Sequence, residues 1–394
     1  MSRITGRRHR TFATALFAAT SAVAAVLTVT PSAGAAPSER HDPEQKAVFE
    51  QTNDPSGNTV IAFARDRHGH LHEAGRYATG GVGATLDQAP IDPLASQGSL
   101  THDPAHQLLY AVNAGSDTVT VFEVRGARLH RLQIVSSHGR LPVSVGVAKD
   151  RVYILDAGGD GTITGYQVRG RHLVAVPRST RSLALGNADA PYFLSAPSDV
   201  VITPDGTKVI VATKSHNTLQ TFRLDHRGAP AAKAVITPSA GVTPFALAFD
   251  RRGNLLVTEA PGTQSSYKVE SDGSLTTVSA AVPNNGQQAS CWAAVAGNHV
   301  YVSNAGSGTI TAYRIAHNGA LSLKDSSGIT AKTDTGPVDL AISGDQRFLY
   351  QEANGAGAID EFTIGVDGSL TRIGTVTGLP VFDGSKGPEG LAAT

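Results

Sequence analysis

An internal repeat is the feature that most constrains this chain of 394 residues. The stretch YAVNAGSDTVTVFEV, which begins at Tyr110, returns as YVSNAGSGTITAYRI, which begins at Tyr301. Each copy lies in a longer unit with a short apolar strand, a turn such as PDG, a second strand that ends in a polar residue, and two further strands. Six such units align, 45 to 55 residues apart, with starts at Gln97, Pro142, Pro197, Pro244, Ser290 and Pro337.

Four antiparallel strands in a unit of this length are typical of one blade of a β-propeller. The ends of the chain predict a seventh blade. PEGLAAT (Pro388–Thr394) has the form of a first strand, and AVFEQTNDPSGNTVIAF (Ala47–Phe63) has the form of a second and third strand. We therefore predict an all-β, seven-bladed propeller over residues 47–394, closed where the C-terminal strand joins the N-terminal blade.

The N-terminus has the form of a secretory signal peptide. Arg3, Arg7, Arg8 and Arg10 precede an Ala-rich apolar run, and Ala33-Gly34-Ala35 offers an A-x-A cleavage site. We predict a signal peptide over residues 1–35, a disordered lead-in over 36–46, and a secreted protein with no membrane segment after cleavage. The Arg7-Arg8 pair leaves twin-arginine export open beside general secretion.

Charge and cysteine content narrow the classes of partner. The whole chain has 33 basic and 33 acidic residues. The signal removes four basic and no acidic residues, which leaves 29 against 33, a formal net charge of −4. Such a chain lacks the basic footprint of a nucleic-acid-binding protein. Cys291 is the only cysteine, so no intrachain disulfide forms, and we expect a monomer held by its core and its closed ring.

YVSNAGSGTI and YAVNAGSDTV resemble the YVTN type of propeller repeat. The chain from residue 47 to 394 also resembles the lactonase-like family of seven-bladed propellers, which includes 6-phosphogluconolactonases and a carboxymuconate lactonizing enzyme. Shared phrases are TGG at Thr79, DGSLT at Asp272 and Asp367, and the closing GPEGLAAT. The resemblance implies the propeller fold, with chemistry at one mouth of the central funnel.

The family's reactive motifs are mostly absent. Its His-Pro-His motif corresponds to Ala196-Pro197-Ser198, and its Gly-Pro-Arg-His motif corresponds to Thr243-Pro244-Phe245-Ala246. Its Asn-Glu pair corresponds to Thr258-Glu259, so only the glutamate is retained. The acid/base histidines and the cation that would stabilise an oxyanion are therefore missing from these positions. Lys214 is the one cation that we name as a possible replacement.

Two columns of the aligned units predict rings of residues around the funnel. One column, at the end of each second strand, is polar: Thr52, Asn113, Asp156, Thr213, Glu259, Asn304 and Glu352. Asn and Asp at such positions also bond their own turns, so a structural role is an alternative. The other column follows the blade-opening prolines: Gly98, Val143, Ser198, Phe245, Cys291, Val338 and Glu389. A mostly apolar ring with a few polar groups fits a small-molecule site or a plugged channel.

Other candidate sites have simpler interpretations. Cys291 has no matching histidine to activate it, so we interpret it as an inert thiol beside a core Trp292. His68, His70 and His72 are interpreted as surface residues, because a transition-metal site needs three or four convergent ligands. We find no catalytic triad, phosphate loop or Rossmann motif, and we predict no metal and no cofactor.

Two functions remain open. The first is a non-catalytic propeller that binds a small molecule or a glycan at the funnel, with Glu352, Asp156, Asn113, Asn304, Thr213, Ser198, Phe245 and Glu389 as candidate contacts. The second is an extracellular lactone hydrolase with Glu259 as general base. Two long segments, Gly81–Gly98 and Arg181–Ala196, could supply recognition in the binding propeller.

Overall fold

The chain folds as seven four-stranded blades arranged in a ring, as predicted. The computed structural model describes residues 45–187 and 191–394, so the predicted signal peptide and most of the lead-in lie outside the described residues. Each blade is an antiparallel sheet, and in blades 2 to 7 its strands follow one another in sequence. Within the described part of the chain, the single helical element is a 3-10 turn at Ala114–Ser116.

Blades 1 to 4 take up the first half of the described chain. In blade 1, β1 (Lys46–Gln51), β2 (Thr59–Arg65) and β3 (Leu71–Ala78) follow one another. Blade 2 contains β4 (Leu100–Asp103), β5 (Leu108–Asn113), β6 (Thr118–Arg125) and β7 (Arg128–Ser136). Blade 3 contains β8 (Pro142–Ala148), β9 (Arg151–Asp156), β10 (Thr162–Arg169), β11 (His172–Ala175) and the short β12 (Arg181–Ser182). Blade 4 contains β13 (Pro197–Ile202), β14 (Lys208–Thr213), β15 (Thr218–Arg223) and β16 (Val235–Pro238).

Blades 5 to 7 repeat the pattern. Blade 5 contains β17 (Pro244–Phe249), β18 (Leu255–Glu259), β19 (Thr263–Val269) and β20 (Leu275–Pro283). Blade 6 contains β21 (Ser290–Ala296), β22 (His299–Asn304), β23 (Thr309–Ile315), β24 (Leu321–Leu323) and the short β25 (Ala331–Lys332). Blade 7 contains β26 (Pro337–Ile342), β27 (Phe348–Ala353), β28 (Ala358–Ile364) and β29 (Leu370–Thr377).

The last strand, β30 (Leu391–Ala393), closes the ring. It pairs with β1 and becomes the innermost strand of blade 1, so that Leu391 lies opposite Glu50. Side chains reinforce the ring by linking neighbouring inner strands: Asp339 accepts the N–H of Leu391 at 3.0 Å, and Asp199 accepts the N–H of Leu247 at 2.8 Å. The predicted closure is confirmed, and apolar residues packed between blades form the core.

The inner strands begin irregularly. In blades 3 to 7 the pairing of the first strand with the second slips just after the opening residue, for example between Pro244 and Leu247 in blade 5. Such β-bulges redirect side chains and interrupt pairing. The second predicted column, which includes Ser198, Phe245 and Cys291, therefore lies in these irregular segments at the centre of the ring.

Candidate functional site

The first predicted ring is present, but one of its seven members is out of place. Five members end their strands as expected: Asn113, Asp156, Thr213, Glu259 and Asn304. Thr52 lies one residue past the end of β1 but still opposite Thr59, whose backbone N–H its hydroxyl accepts at 3.1 Å. β27, in contrast, continues to Ala353, one residue beyond Glu352. Because side chains alternate along a strand, Glu352 points to the opposite face of its blade from the other members.

The five aligned members all make the same turn contact. Each is fully buried and bonds the side chain of the threonine that opens the next strand, at 2.6 to 3.1 Å. Those threonines are Thr118, Thr162, Thr218, Thr263 and Thr309. A polar residue followed by threonine four to six positions later was the sequence signal for this hairpin contact. In this column the residues hold turns together, which is the structural alternative raised above.

Glu259 is enclosed within blade 5. Its carboxylate accepts the hydroxyl of Thr263 at 2.7 Å and the backbone N–H of Gly241 at 3.3 Å. A Cβ at Gly241 would meet the Glu259 carboxyl carbon at 2.6 Å, so the loop lies directly against the acid. Burial raises the pKa of Glu259, although hydrogen bonds from Ser265, Thr263 and Gly241 oppose the shift.

A long loop from blade 1 fills the centre of the ring. Residues 81–98, which we call the plug loop, connect β3 to β4 and contact the inner strands of several other blades. Trp292 in blade 6 donates its indole N–H to the carbonyl of Ser96 at 2.7 Å, and Ser96 donates its hydroxyl to Val143 in blade 3 at 2.8 Å. The backbone N–H of Gln97 donates to Ser198 in blade 4 at 2.9 Å.

The plug loop buries the second predicted ring. Ser198, Phe245 and Glu389 are at most 4% exposed. Glu389 accepts the backbone N–H of Leu94 at 2.9 Å, while Ser198 bonds backbone carbonyls of Pro244 and Phe245. The plugged channel, one of the two interpretations of this ring, is therefore the arrangement observed. The sequence indicated a long segment here but carried no periodic signal that would place it inside the ring.

Lys214 reaches this buried centre. Its ammonium donates to the carbonyl of Ala95 at 2.7 Å and lies 5.4 Å from the centre of the Phe245 ring, the residue at the position of the family's arginine. Burial lowers the pKa of Lys214 to about 7, although the Asp92 and Glu389 carboxyls oppose the shift. Lys214 is therefore a buried cation at the centre of the plugged funnel.

Sequence reasoning named Glu352 and Glu389 separately, but it missed Asp92 and Asp339 and the group of buried acids that the four form around the same centre. Burial raises the pKa values of Asp92 in the plug loop, Asp339, Glu352 and Glu389, and repulsion from neighbouring carboxyls adds to the rise in the last three. Burial raises the pKa of Asp339 to about 7. These residues come from four separate segments, so no spacing in the sequence brings them together.

The remaining candidates have structural environments. Cys291 is buried, and burial raises the pKa of its thiol to about 12, which disfavours the reactive thiolate. Trp292 is 3% exposed and packs on Phe245. His68 and His72 are exposed, and His70 pairs with Glu361 at 2.9 Å. Among the described residues, no three or more His, Cys, Asp or Glu side chains are arranged to hold a metal.

Two cavities lie at opposite ends of the ring. At the mouth, where the second strands end, a cavity of about 490 Å³ is lined by Thr52, Arg76, Lys386 and their neighbours. At the other end, beside blades 3 and 4, a groove of about 910 Å³ is lined by basic residues, with Asp205 and Asp225 as its only acids. Its basic residues are Arg178, Arg181, Lys208, Arg223, His226 and Arg227.

The fold and this plugged centre define the class of protein as a closed seven-bladed β-propeller. The family model described as "Lactonase, 7-bladed beta-propeller" matches residues 175–292. The resemblance to lactonase-like propellers is therefore confirmed. A search of curated proteins gave no match. Within the described residues, no helix is long and apolar enough to cross a membrane.

Solved structures with similar folds include lactonase-type proteins at low identity. A putative 6-phosphogluconolactonase from Bacteroides fragilis is 17% identical, with a TM-score of 0.66 over 89% of this chain and 98% of that one. A putative 6-phosphogluconolactonase from Bacteroides uniformis is 16% identical, with a TM-score of 0.68 over 89% of this chain and 100% of that one. A periplasmic gluconolactonase from Pseudomonas aeruginosa is 16% identical, with a TM-score of 0.64 over 86% of this chain and 98% of that one. At these identities the comparisons establish the fold.

Proposed function

We propose that this lactonase-like propeller is an exported monomer that binds a small molecule or the end of a glycan at the mouth of its funnel and has lost the family's catalysis. The observation that carries the proposal is the plug loop, which fills the centre of the ring with the chain's own residues. The retained glutamate, Glu259, is enclosed by Gly241 and Thr263. A lactone would have no route to it unless these loops moved.

The mouth cavity supports a polar, anionic ligand. Arg76 and Lys386 line it together with Thr52 and Thr59, and Asp54 is the one acid among its lining residues. Hydroxyl and cationic donors around a cavity of about 490 Å³ suit a sugar acid or a uronate at the end of a glycan. Binding of this kind needs no movement of the plug loop.

A binding assay tests this function. Calorimetry with aldonic acids, uronic acids and uronate-ended oligosaccharides should give saturable binding to the purified protein. Lys386→Ala should weaken that binding by about tenfold, since an exposed cation that contacts a carboxylate contributes on the order of 1 kcal/mol. Lys233→Ala removes an exposed charge elsewhere and should leave the affinity unchanged. Equal affinities in both variants would place the ligand outside the mouth cavity.

The second candidate is an extracellular lactone hydrolase. Lys214 supports it, because its ammonium lies 5.4 Å from the ring of Phe245, the residue that corresponds to the family's arginine. The raised pKa of Glu259 also suits a general base. In an assay with sugar and acyl lactones, hydrolysis that disappears in both Glu259→Gln and Lys214→Met would establish this function. We expect no turnover above background.

Export has its own test. Sequencing the N-terminus of protein recovered from the culture medium should give Ala36 as the first residue, as expected for cleavage after Ala35. Protein that stays in the cell with its first residues intact would contradict export.

A further inference from the structure

Buried oxygen atoms without partners are concentrated where the ring closes. Glu50 in β1, Glu352 in β27 and Asn354 just after β27 are each at most 1% exposed. Both carboxylate oxygens of each glutamate, and the amide oxygen of Asn354, have no hydrogen-bond partner among the described residues. Unpaired buried oxygens are rare in native proteins, and each needs a physical explanation such as a bound ion or water.

These three residues lie at the interface between blade 7 and blade 1, which we call the closure seam. Val48 and Tyr350 pack in one apolar cluster that joins the two blades. Glu50 and Glu352 each follow one of them by two positions and so share its face of the strand. The two acids interact electrostatically: burial raises the pKa of Glu352, and repulsion from the Glu50 carboxylate adds to that rise.

The closure seam also contacts the segment that closes the ring. Leu391 of β30 pairs with Glu50. The amide nitrogen of Asn354 donates to the carbonyl of Pro388 at 2.9 Å and to Ile91 of the plug loop at 3.2 Å, which leaves the amide oxygen free. The amide is thereby held in place by two donated bonds.

Among the described residues, the cation that acts on Glu50 is already paired with another acid. Arg76 is the cation that acts on Glu50, and its guanidinium is engaged in two bonds to Glu73 at 2.8 and 2.9 Å. Asp339 and Asp92 add further negative charge near Glu352. Ionised carboxylates buried without donors or counter-ions cost several kcal/mol each. The closure seam therefore attracts positive charge.

The ligand set determines which cation fits. Four carboxylate oxygens and one amide oxygen, with no nitrogen or sulfur, suit a hard cation. Calcium accepts six to eight oxygens in flexible geometry, whereas magnesium requires a nearly ideal octahedron and keeps its waters. We propose that the closure seam binds a calcium ion through Glu50, Glu352 and Asn354, and that this ion locks blade 7 to blade 1.

The mouth cavity is lined by residues next to the closure seam. Thr52 follows Glu50 by two residues on the same side of blade 1, and it lines the mouth cavity with Arg76. Pro380 and Gly387, which line the other side of that cavity, belong to the segment that leads to β30. The cavity therefore opens beside the closure seam.

Thermal unfolding with and without calcium tests the proposal. After EDTA treatment and dialysis, the purified protein should unfold at least ~3 °C higher in millimolar CaCl₂ than in EDTA, because a ligand that binds the folded state stabilises it. MgCl₂ at the same concentration should give a smaller rise. Absence of a calcium shift, or an equal shift with magnesium, would overturn the assignment.

Matched variants locate the ion. Glu352→Gln should lose the calcium shift, whereas Glu259→Gln, which changes a buried glutamate with its own hydrogen-bond donors, should keep it. Glu50→Gln serves as the second seam variant if Glu352→Gln does not fold. A shift that persists in the seam variant, or one that disappears in Glu259→Gln as well, would overturn the site. Terbium luminescence of the unaltered protein, competed by CaCl₂, should report the same binding directly.

Discussion

Two buried glutamate sites in this propeller differ in what surrounds the carboxylate. Glu259 in blade 5 and Glu352 at the closure seam are both at most 1% exposed, and burial raises the pKa of both. Glu259 accepts hydrogen bonds from Thr263 and Gly241, whereas neither oxygen of Glu352 has a partner among the described residues. The available donors, rather than burial alone, therefore separate a structural carboxylate from one that lacks a partner.

Loss of the closing strand should have the largest effect. Deleting residues 390–394 removes β30, the innermost strand of blade 1, and leaves the inner edge of β1 unpaired. We expect the melting temperature to fall by more than ~10 °C, or cooperative unfolding to disappear, because an open ring exposes core residues between blades 7 and 1. Circular dichroism measures this. A short Gly-Ser tail added after Thr394 should unfold like the parent chain, and a truncation that did so too would refute non-covalent closure.

The pH dependence of stability should be the next largest effect. Burial raises the folded-state pKa of Glu50 and Asp199 to about 8 and that of Asp339 to about 7, all above their unfolded values. The folded state then binds more protons than the unfolded state, so stability falls as pH rises from about 4 to 8. In EDTA, the melting temperature should be at least ~5 °C higher at pH 5 than at pH 8.

Two seam variants show which acids cause this pH dependence. Glu50→Gln and Glu352→Gln remove ionising groups and should each flatten the decline between pH 5 and 8. Lys214 acts in a different window: its pKa is lowered from 10.5 to about 7, so its contribution to stability increases between those values as pH rises. A melting temperature that rose from pH 5 to 8 in EDTA would contradict the assignment of neutral buried acids.

The plug loop should give a smaller and more local effect. Trp292 is the only tryptophan, and its bond to Ser96 makes its fluorescence a reporter of the plug loop. Lys214→Met removes the donor to Ala95 and should cost ~1–3 kcal/mol, the usual penalty for an unpaired buried carbonyl. Acrylamide should then quench Trp292 more strongly. Lys208→Met changes a buried lysine at the other end of β14 and should leave quenching unchanged, whereas equal quenching in all three proteins would mean that Lys214 does not hold the loop.

The blades could be predicted from the sequence because their chemistry is local. Alternating apolar residues and Gly and Asp turns recur at a fixed period, so the strands and the turn contact of Asn113 can be read within one unit, and the closure from the two ends of the chain. The turn contact of Glu259 was not predicted, because glutamate is not a usual turn residue. Glu352 was assigned to the wrong column. Tyr350 aligns with Tyr301 without a gap, so Ala353 corresponds to Asn304, and the pairing of Ala353 with Pro337 confirms that register.

The buried centre could not be predicted in the same way. Glu50, Asp92, Asp339 and Glu352 are far apart in sequence, and each occupies a position that looks ordinary in its own unit. The plug loop bonds to four or more different blades rather than to one neighbouring strand. Contacts of this kind impose no periodic pattern on its sequence. Such contacts depend on the assembled ring, which aligned repeats describe only one blade at a time.

The smallest predicted effect returns to the two glutamates. Glu259→Gln keeps the shape of the side chain and the acceptor oxygen, but its new amide hydrogens face Thr263 or Gly241, so it should lower the free energy of unfolding by ~1 kcal/mol. Glu352→Gln removes a buried, unpaired acid, so in EDTA at pH 8 it should raise the free energy of unfolding. Urea titration of both variants measures this contrast. Opposite signs would mean that the donors around each carboxylate decide its effect, whereas equal losses would show that Glu352 has stabilising partners of its own and that the closure seam needs no ion.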